Sequence, residues 1–212
     1  MSPYSKNIGA VILAAGGSSR FGQLKQLVPF RGKTLLRRIV DAASAAGCSP
    51  VVVVTGSNEE KIDDELQQSD VIKIQNTNWQ RGIGSSIRTG VQVVIDRVPS
   101  VEAIILLVCD QPLVEADTIQ RVITLRKNTN RRIVASSYAG TLGVPALFGR
   151  SFFCELLSID DEAGAKSVIL RNGDCVAQLE VPEGEIDVDT WEDWEKLNGT
   201  GHPERSEGSL TS

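Results

Sequence analysis

Short runs of apolar and β-branched residues alternate with segments of helical periodicity along most of this chain, and this alternation is the strongest constraint on its fold. The runs that predict strands span residues 8–15, 51–54, 71–75, 101–110, 131–137 and 176–182. Uninterrupted apolar runs such as 51–54 are typical of strands buried on both faces of a sheet. We therefore predict an α/β fold with a mainly parallel sheet and helices on each side. The segment after residue 137 breaks the alternation, and we expect it to add a small antiparallel lobe.

Helical periodicity fills the intervals between these strands. The segments predicted to be helical are 34–47, 58–68, 85–98, 115–128, 151–157, 163–173 and 189–197. Thr34 is predicted to cap the first helix and Gly47 to end it, and Ser85 or Ser86 is predicted to cap the third. We expect residues 1–198 to form one domain, and the polar, Gly/Ser-rich residues 199–212 to be a disordered tail.

The charge and composition of the chain exclude several classes of function. The net charge is −5 over 212 residues, which disfavours nucleic acid as a partner because that affinity comes largely from clustered Lys and Arg. No run of 18 apolar residues is present, so we expect no membrane span. The first residues lack a signal-peptide core, and the four cysteines form no CxxC pair. We expect reduced thiols and a cytoplasmic location.

Histidine chemistry is also disfavoured. The one histidine, His202, lies in the predicted tail. A Ser-His-Asp or Cys-His arrangement and a His-ligated metal are therefore improbable. The chemistry must use carboxylates, lysine, arginine and backbone amides.

The first predicted strand leads into a glycine turn rich in hydroxyl groups and cations. Gly16 and Gly17 permit close approach of a ligand to the backbone, and consecutive amides in such a turn can bind an anion. Arg20 and Lys25 could bind phosphate oxygens. The alternative is a tight βα turn with two surface cations. Walker A and GxGxxG patterns are absent, which disfavours a P-loop ATPase or a Rossmann dehydrogenase.

Two acidic segments follow later in the chain. Asp110 ends the most hydrophobic strand, where an isolated carboxylate is costly unless it is paired or binds a metal such as Mg²⁺. Asp187 and Asp189 would share one face of an extended segment, and either could complete a metal site with Asp110. The alternatives are structural: Asp110 as a turn residue, and Asp189 or Thr190 as an ordinary N-cap.

A polar loop at 75–90 offers candidates for contacting a nucleobase or ribose. These are Asn76, Asn78, Gly82, Ser85 and Ser86. The alternative is a loop followed by serine caps. Thr55 and Gly56 end another strand, where a plain turn is the simpler interpretation.

Four motifs together resemble a known family. "LAAGGSSRFGQLKQL" (13–27) resembles the nucleotidyltransferase signature LAAGxSxRxGxxKxL. With "NTNWQRGIGSSI" (76–87), "CDQP" (109–112) and "DVDTWED" (187–193), the chain resembles the molybdenum cofactor cytidylyltransferases, within the MobA-like NTP transferases. The resemblance covers about residues 8–197, and Ala15 and Gln111 favour the cytidine branch.

The resemblance implies a three-layer α/β/α sandwich of the nucleotide-diphospho-sugar transferase (GT-A-like) type. It implies transfer of CMP from Mg-CTP to the phosphate of molybdopterin or the molybdenum cofactor, with release of pyrophosphate. Lys25, Arg20 and Asp110 would be catalytic, and Asp110, Asp187 and Asp189 would bind Mg²⁺. The implied nucleotide-binding residues are Leu13, Ala14, Ala15, Gly16, Gly17, Ser18, Ser19, Lys25, Thr55, Asn78, Gly82, Ser85 and Ser86.

Alternative functions remain open at this point. The same fold could serve a guanylyl- or sugar-1-phosphate nucleotidyltransferase. A non-catalytic maturation chaperone could hold nucleotide and cofactor without turnover, although two acidic motifs argue against it. A recipient molybdoenzyme, or its chaperone, is a further possible partner.

Overall fold

The computed structural model describes residues 8–16, 24–57 and 59–199. Its strands are β1 (Ile8–Ala14), β2 (Pro29–Phe30), β3 (Lys33–Thr34), β4 (Val51–Thr55), β5 (Ile72–Gln75), β6 (Ala103–Val108), β7 (Ile133–Tyr138), β8 (Thr141–Gly149) and β9 (Val176–Glu180). Its α-helices are α1 (Leu35–Ala45), α2 (Glu59–Leu66), α3 (Ile83–Arg97), α4 (Ala116–Thr129), α5 (Phe153–Leu157), α6 (Ala165–Arg171) and α7 (Trp191–Gly199). Short 3₁₀ turns include Lys25–Leu27, Trp79–Arg81 and Pro182–Glu185.

Within these described residues, seven strands form one sheet in the order β5-β4-β1-β6-β8-β7-β9. Strand β1 pairs in parallel with both β4 and β6, so it lies near the middle of the sheet. Among the seven described strands of this sheet, only β8 runs antiparallel to its neighbours, β6 and β7. Strands β2 and β3 form a separate two-stranded hairpin. The prediction of a mainly parallel sheet is confirmed.

Alternate residues of the central strands enter two hydrophobic cores on opposite faces of the sheet. Ile12 of β1 packs in a core with Leu36 of α1 and Val122 of α4. Its neighbour Val11 packs in the other core with Val91 of α3 and Val168 of α6. Because both faces are covered by helices, the fold has the three layers that the sequence predicted.

The segment after residue 137 differs from the expected antiparallel lobe. It forms β8, which lies inside the main sheet between β6 and β7. The run Ala146, Leu147 and Phe148 is fully buried, with 0% exposure for each residue. A strand with this burial needs cover on both faces, and the middle of the sheet provides it, whereas a small lobe at the surface would not.

Two of the predicted helix caps are confirmed and one is wrong. The Thr34 hydroxyl accepts a hydrogen bond from the Arg37 amide at 3.0 Å. Gly47 follows the end of α1 with φ of +85°, a conformation that glycine adopts at little cost. Helix α3, however, begins at Ile83 after Gly82, so Ser85 and Ser86 lie inside its first turn and do not cap it.

Within the described ranges, no helix is long and apolar enough to cross a membrane. Residues 200–212 of the predicted tail, which include His202, lie outside the described residues.

Candidate functional site

The candidate site lies where β1 and β6 end side by side. The two strands pair in parallel up to Leu13 and Val108, so their carboxyl ends meet at one edge of the sheet. Ala15 and Gly16 follow β1 there, and Asp110 follows β6. A third segment joins this edge because the Val188 amide donates a hydrogen bond to the Asp110 carbonyl oxygen at 2.9 Å. The parallel sheet and this hydrogen bond thus bring three distant parts of the chain together.

The centre of the site is the ammonium group of Lys25. Its Nζ lies 2.9 Å from Oδ2 of Asp110 and 2.6 Å from Oδ1 of Asp189. Burial alone would lower the pKa of Lys25, but the two carboxylates outweigh burial and raise it above its ordinary value. Lys25 is therefore protonated at neutral pH, and it bridges two acidic segments.

The position of Lys25 is fixed by its neighbour Gln26. The Gln26 side chain is 3% exposed, and its Nε2 donates to the carbonyl oxygens of Ala14 at 2.8 Å and Gly16 at 3.0 Å. These bonds hold the Lys25–Leu27 turn against the end of β1. Sequence reasoning missed Gln26, although a lone amide between Leu24 and Val28 was an available signal for a buried hydrogen-bonding residue.

The second acidic segment is oriented by Val188. Val188 is fully buried and packs with Val28, Phe30 and Leu35. Its neighbours Asp187 and Asp189 therefore project away from this cluster. Asp189 is not the helix cap, because Thr190 and Asp193 exchange the capping hydrogen bonds of α7. The Asp189 carboxylate is thus available to pair with Lys25.

The third carboxylate of the acidic cluster is that of Asp187. Although its side chain is exposed, surrounding protein atoms partly desolvate it and, with the charges of Asp110 and Asp189, raise its pKa to about 6. Lys25 and a hydrogen bond from Gln111 act in the opposite direction. One ammonium group therefore does not neutralise this acidic cluster.

The metal-binding prediction fits the chemistry of the cluster but not a preformed cavity. Carboxylate oxygens with excess negative charge are the donors that Mg²⁺ prefers. In the part of the chain that the structure describes, however, no group of three or more His, Cys, Asp or Glu side chains is arranged to hold a metal ion. The Lys25 ammonium holds Asp110 and Asp189 together in this state.

The predicted residues of the 75–90 loop have mainly internal contacts. The buried Asn76 amide donates to the hydroxyl oxygens of Ser85 at 2.8 Å and Ser86 at 3.0 Å. Asn78 is exposed at the surface, and Thr55 is fully buried at the end of β4. The two serine hydroxyls thus organise the loop, and of this set Asn78 is open to a ligand.

Gly82 faces a neighbouring loop and not an open cleft. Its φ is +130°, and the backbone around Asp161 and Glu162 leaves no room for a side chain. The Gly84 amide donates to the Asp161 carbonyl oxygen at 2.8 Å, and the Asp161 carboxylate pairs with Arg88. The start of α3 is therefore occupied by the loop that precedes α6.

The glycine turn is described only in part. Leu13, Ala14 and Ala15 are buried, and Gly16 is exposed at the end of β1. The remaining predicted residues of this motif, Gly17, Ser18, Ser19 and Arg20, lie outside the described residues.

The sequence matches the model of the MobA-like NTP transferase domain over residues 10–176. The chain belongs to this family. It is therefore a nucleotidyltransferase by family and by fold. The combined motifs and the site at the strand ends agree with that membership.

Individual relatives and solved structures extend the comparison. The molybdenum cofactor cytidylyltransferase of Escherichia coli K12 is 25% identical over 88% of this chain and 93% of its own. The nicotine blue oxidoreductase of Paenarthrobacter nicotinovorans is 28% identical over 62% of each chain. The crystal structure of Rv0371c from Mycobacterium tuberculosis H37Rv is 30% identical, with a TM-score of 0.74 over 91% of this chain and 97% of that one. A manganese complex of Rv0371c matches with a TM-score of 0.69, covering 91% and 98%.

Proposed function

We propose that this protein transfers CMP from CTP to the phosphate of molybdopterin or its molybdenum-bearing form and releases pyrophosphate. The observation that carries the proposal is the Lys25 ammonium, which joins Asp110 and Asp189 at the end of the central strands. A cation and several carboxylates at such an edge suit the handling of a metal-bound triphosphate. Similarity to the E. coli cytidylyltransferase supports CTP and molybdopterin as the substrates.

The reaction needs no histidine and no general base. The acceptor is a phosphate monoester with a second pKa of about 6, so it is largely dianionic at neutral pH. One of its oxygens attacks the α-phosphorus of CTP, and the bond from that phosphorus to the bridging oxygen of the β-phosphate breaks. The electron pair leaves with pyrophosphate. The main obstacle is repulsion between two polyanions, which Lys25 reduces by holding positive charge beside the phosphates.

Asp110, Asp187 and Asp189 would hold Mg²⁺ in the working enzyme. A bound divalent cation supplies positive charge to the phosphate oxygens and orients the leaving group. Desolvation and the neighbouring carboxylates of Asp110 and Asp189 together raise the pKa of Asp187, and this crowding of carboxylates supports the assignment, as does the manganese complex of the related Rv0371c. With Mg²⁺ held by these carboxylates, the Lys25 ammonium group would contact phosphate.

The nucleotide is proposed to lie along the ends of β1 and β4. Gly16 and Asn78 offer exposed backbone and side-chain groups there. Ser85 and Ser86 support the loop through Asn76. We also propose a cytoplasmic location, since the four cysteines are free, and a molybdoenzyme or its chaperone as recipient of the product.

The test is turnover with defined substrates. Purified protein with CTP, Mg²⁺ and molybdopterin should release pyrophosphate and form a CMP-linked product, whereas Asp110→Asn should lose about 10²–10³ in turnover. Asp41→Asn is the matched control. The Asp41 carboxylate forms an ion pair with Lys33 at a distance of 2.6 Å, and this pair lies outside the acidic cluster.

Other results would favour the alternatives. Preference for GTP, or turnover with a sugar-1-phosphate acceptor, would identify a different transferase on this fold. CTP binding without pyrophosphate release would identify a nucleotide-dependent binding protein.

A further inference from the structure

We propose that Gln111 is a positioning residue which, together with Tyr138, holds the Asp187 segment against Asp110 and thereby sets the affinity for the divalent cation. This inference rests on the proposed function. It assigns Gln111 a role in metal binding, whereas the sequence motif associates this residue with nucleobase preference.

The donor capacity of the Gln111 amide nitrogen is already used within the protein. Gln111 is 4% exposed. Its Nε2 donates to the carbonyl oxygen of Gly184 at 2.7 Å and to the hydroxyl oxygen of Tyr138 at 3.3 Å. An amide nitrogen carries two hydrogens, and the Asp187 carboxylate also accepts from Gln111, so protein acceptors already occupy every donor that this nitrogen could offer a nucleobase.

Tyr138 is a rigid partner for this amide. Its hydroxyl group donates to the Val144 carbonyl oxygen at 3.0 Å. Its ring is so closely packed that a Cβ added to Gly184 would lie 2.9 Å from it, and a Cβ added to Gly143 would overlap its hydroxyl oxygen. The tyrosine therefore fixes the orientation of Gln111.

Residues 110 and 111 hold both ends of the segment that carries Asp187. The Gln111 side chain binds Gly184 on one side, and the Asp110 carbonyl oxygen binds the Val188 amide at 2.9 Å on the other. Asp187 directly precedes Val188, so the bond from the Val188 amide to Asp110 holds the Asp187 carboxylate in the same acidic cluster as those of Asp110 and Asp189. Mutual repulsion would move the segment outward, and the two anchors oppose that movement.

The experiment measures Mn²⁺ binding in the presence of CTP by electron paramagnetic resonance, with Gln111→Leu and Tyr138→Phe. Removing a residue that orients metal ligands typically weakens metal binding about 10–100-fold, so we expect about tenfold weaker Mn²⁺ binding for Gln111→Leu. Tyr138→Phe should weaken binding less but in the same direction. The ratio of kcat/KM for CTP to that for GTP should stay within about twofold of wild type, because Gln111 acts on the metal site and not on the base. A tenfold change in this ratio would correspond to about 1.4 kcal/mol of base discrimination.

Gln92→Leu is the matched control, because the Gln92 amide donates to Asp96 within α3 at 2.8 Å and lies outside the site. Unchanged Mn²⁺ affinity in Gln111→Leu, with an altered CTP-to-GTP ratio, would overturn the inference. If Gln111→Leu does not fold, Tyr138→Phe decides: wild-type Mn²⁺ affinity in that variant overturns the proposal. Failure of the wild-type protein to bind Mn²⁺ with CTP would instead refute the proposed function.

Discussion

Replacing Lys25 with methionine removes the charge at the centre of the site while keeping a side chain of similar length. In the structure this charge holds Asp110 at 2.9 Å and Asp189 at 2.6 Å. A unit charge about 4 Å from a phosphate oxygen contributes about 4 kcal/mol at an effective dielectric constant of about 20. If that contribution is made mainly in the transition state, turnover should fall about 10²–10³-fold.

The fold should survive this change. Asp110 and Asp189 keep contact with water, at 29% and 57% side-chain exposure, so loss of their partner should cost only about 1 kcal/mol of stability. The assay is pyrophosphate release with CTP, Mg²⁺ and the acceptor, alongside a thermal melt. Lys33→Met is the matched control, because Lys33 forms an exposed pair with Asp41 at 2.6 Å.

Near-wild-type turnover in Lys25→Met, with an intact fold, would refute the role of Lys25. Equal losses in Lys25→Met and Lys33→Met would also refute it, since the effect would then not be specific to the site.

Further predictions concern pH and packing. The pKa of Asp187 is raised to about 6, so the folded state holds its proton more tightly than the unfolded state, and this stabilising contribution is lost as pH rises from about 4 through about 6. In metal-free buffer, Asp187→Asn should therefore gain stability relative to wild type as pH rises between these values. The gain should be about 1 kcal/mol, because solvent screens the exposed side chain. Chemical denaturation measures this gain, and a difference in unfolding free energy that does not change with pH would contradict the prediction. Gly84→Ala should lose about 1–3 kcal/mol, because the new Cβ would overlap the Asp160 carbonyl oxygen. Gly173→Ala is the control: its new Cβ would meet no atom within 4 Å, so this variant should unfold at the wild-type temperature. Equal melting temperatures for Gly84→Ala and Gly173→Ala would contradict the prediction.

The neighbourhood of the site could be predicted from the sequence, because it follows from strand order. Apolar runs identified β1 and β6, and the carboxyl ends of parallel strands lie at the same edge of a sheet. Gly16 and Asp110 follow these two strands, so strand order alone brings them to the same edge. The capping pair of Thr190 and Asp193 was also predictable, since it depends only on a local pattern.

The contacts of Lys25 could not be predicted in this way. Its partners are 85 and 164 residues away in the chain. The pairing depends on packing of Val28 against Val188 and on hydrogen bonds of Gln26 to β1, which no local pattern encodes. Single-sequence reasoning identified the charged residues but not which of them touch.

Buried polar side chains were the main source of error. Ser85 and Ser86 fit the pattern of helix caps, yet both are buried and accept hydrogen bonds from Asn76. Their role depends on where α3 starts, and the close approach of the Asp161 loop to Gly84 fixes that start. Tyr138 carried no motif at all, because its importance comes from a contact with Gln111 across the sheet edge.

A crystal structure of this protein with CTP and Mg²⁺ would test directly whether the acidic cluster binds the metal ion and Lys25 contacts the triphosphate. We expect Mg²⁺ at about 2.1 Å from a carboxylate oxygen of Asp110, and a CTP phosphate oxygen in contact with Lys25 Nζ. CTP bound with its phosphates away from this edge of the sheet, and Lys25 still paired with Asp110 and Asp189, would contradict the proposed site.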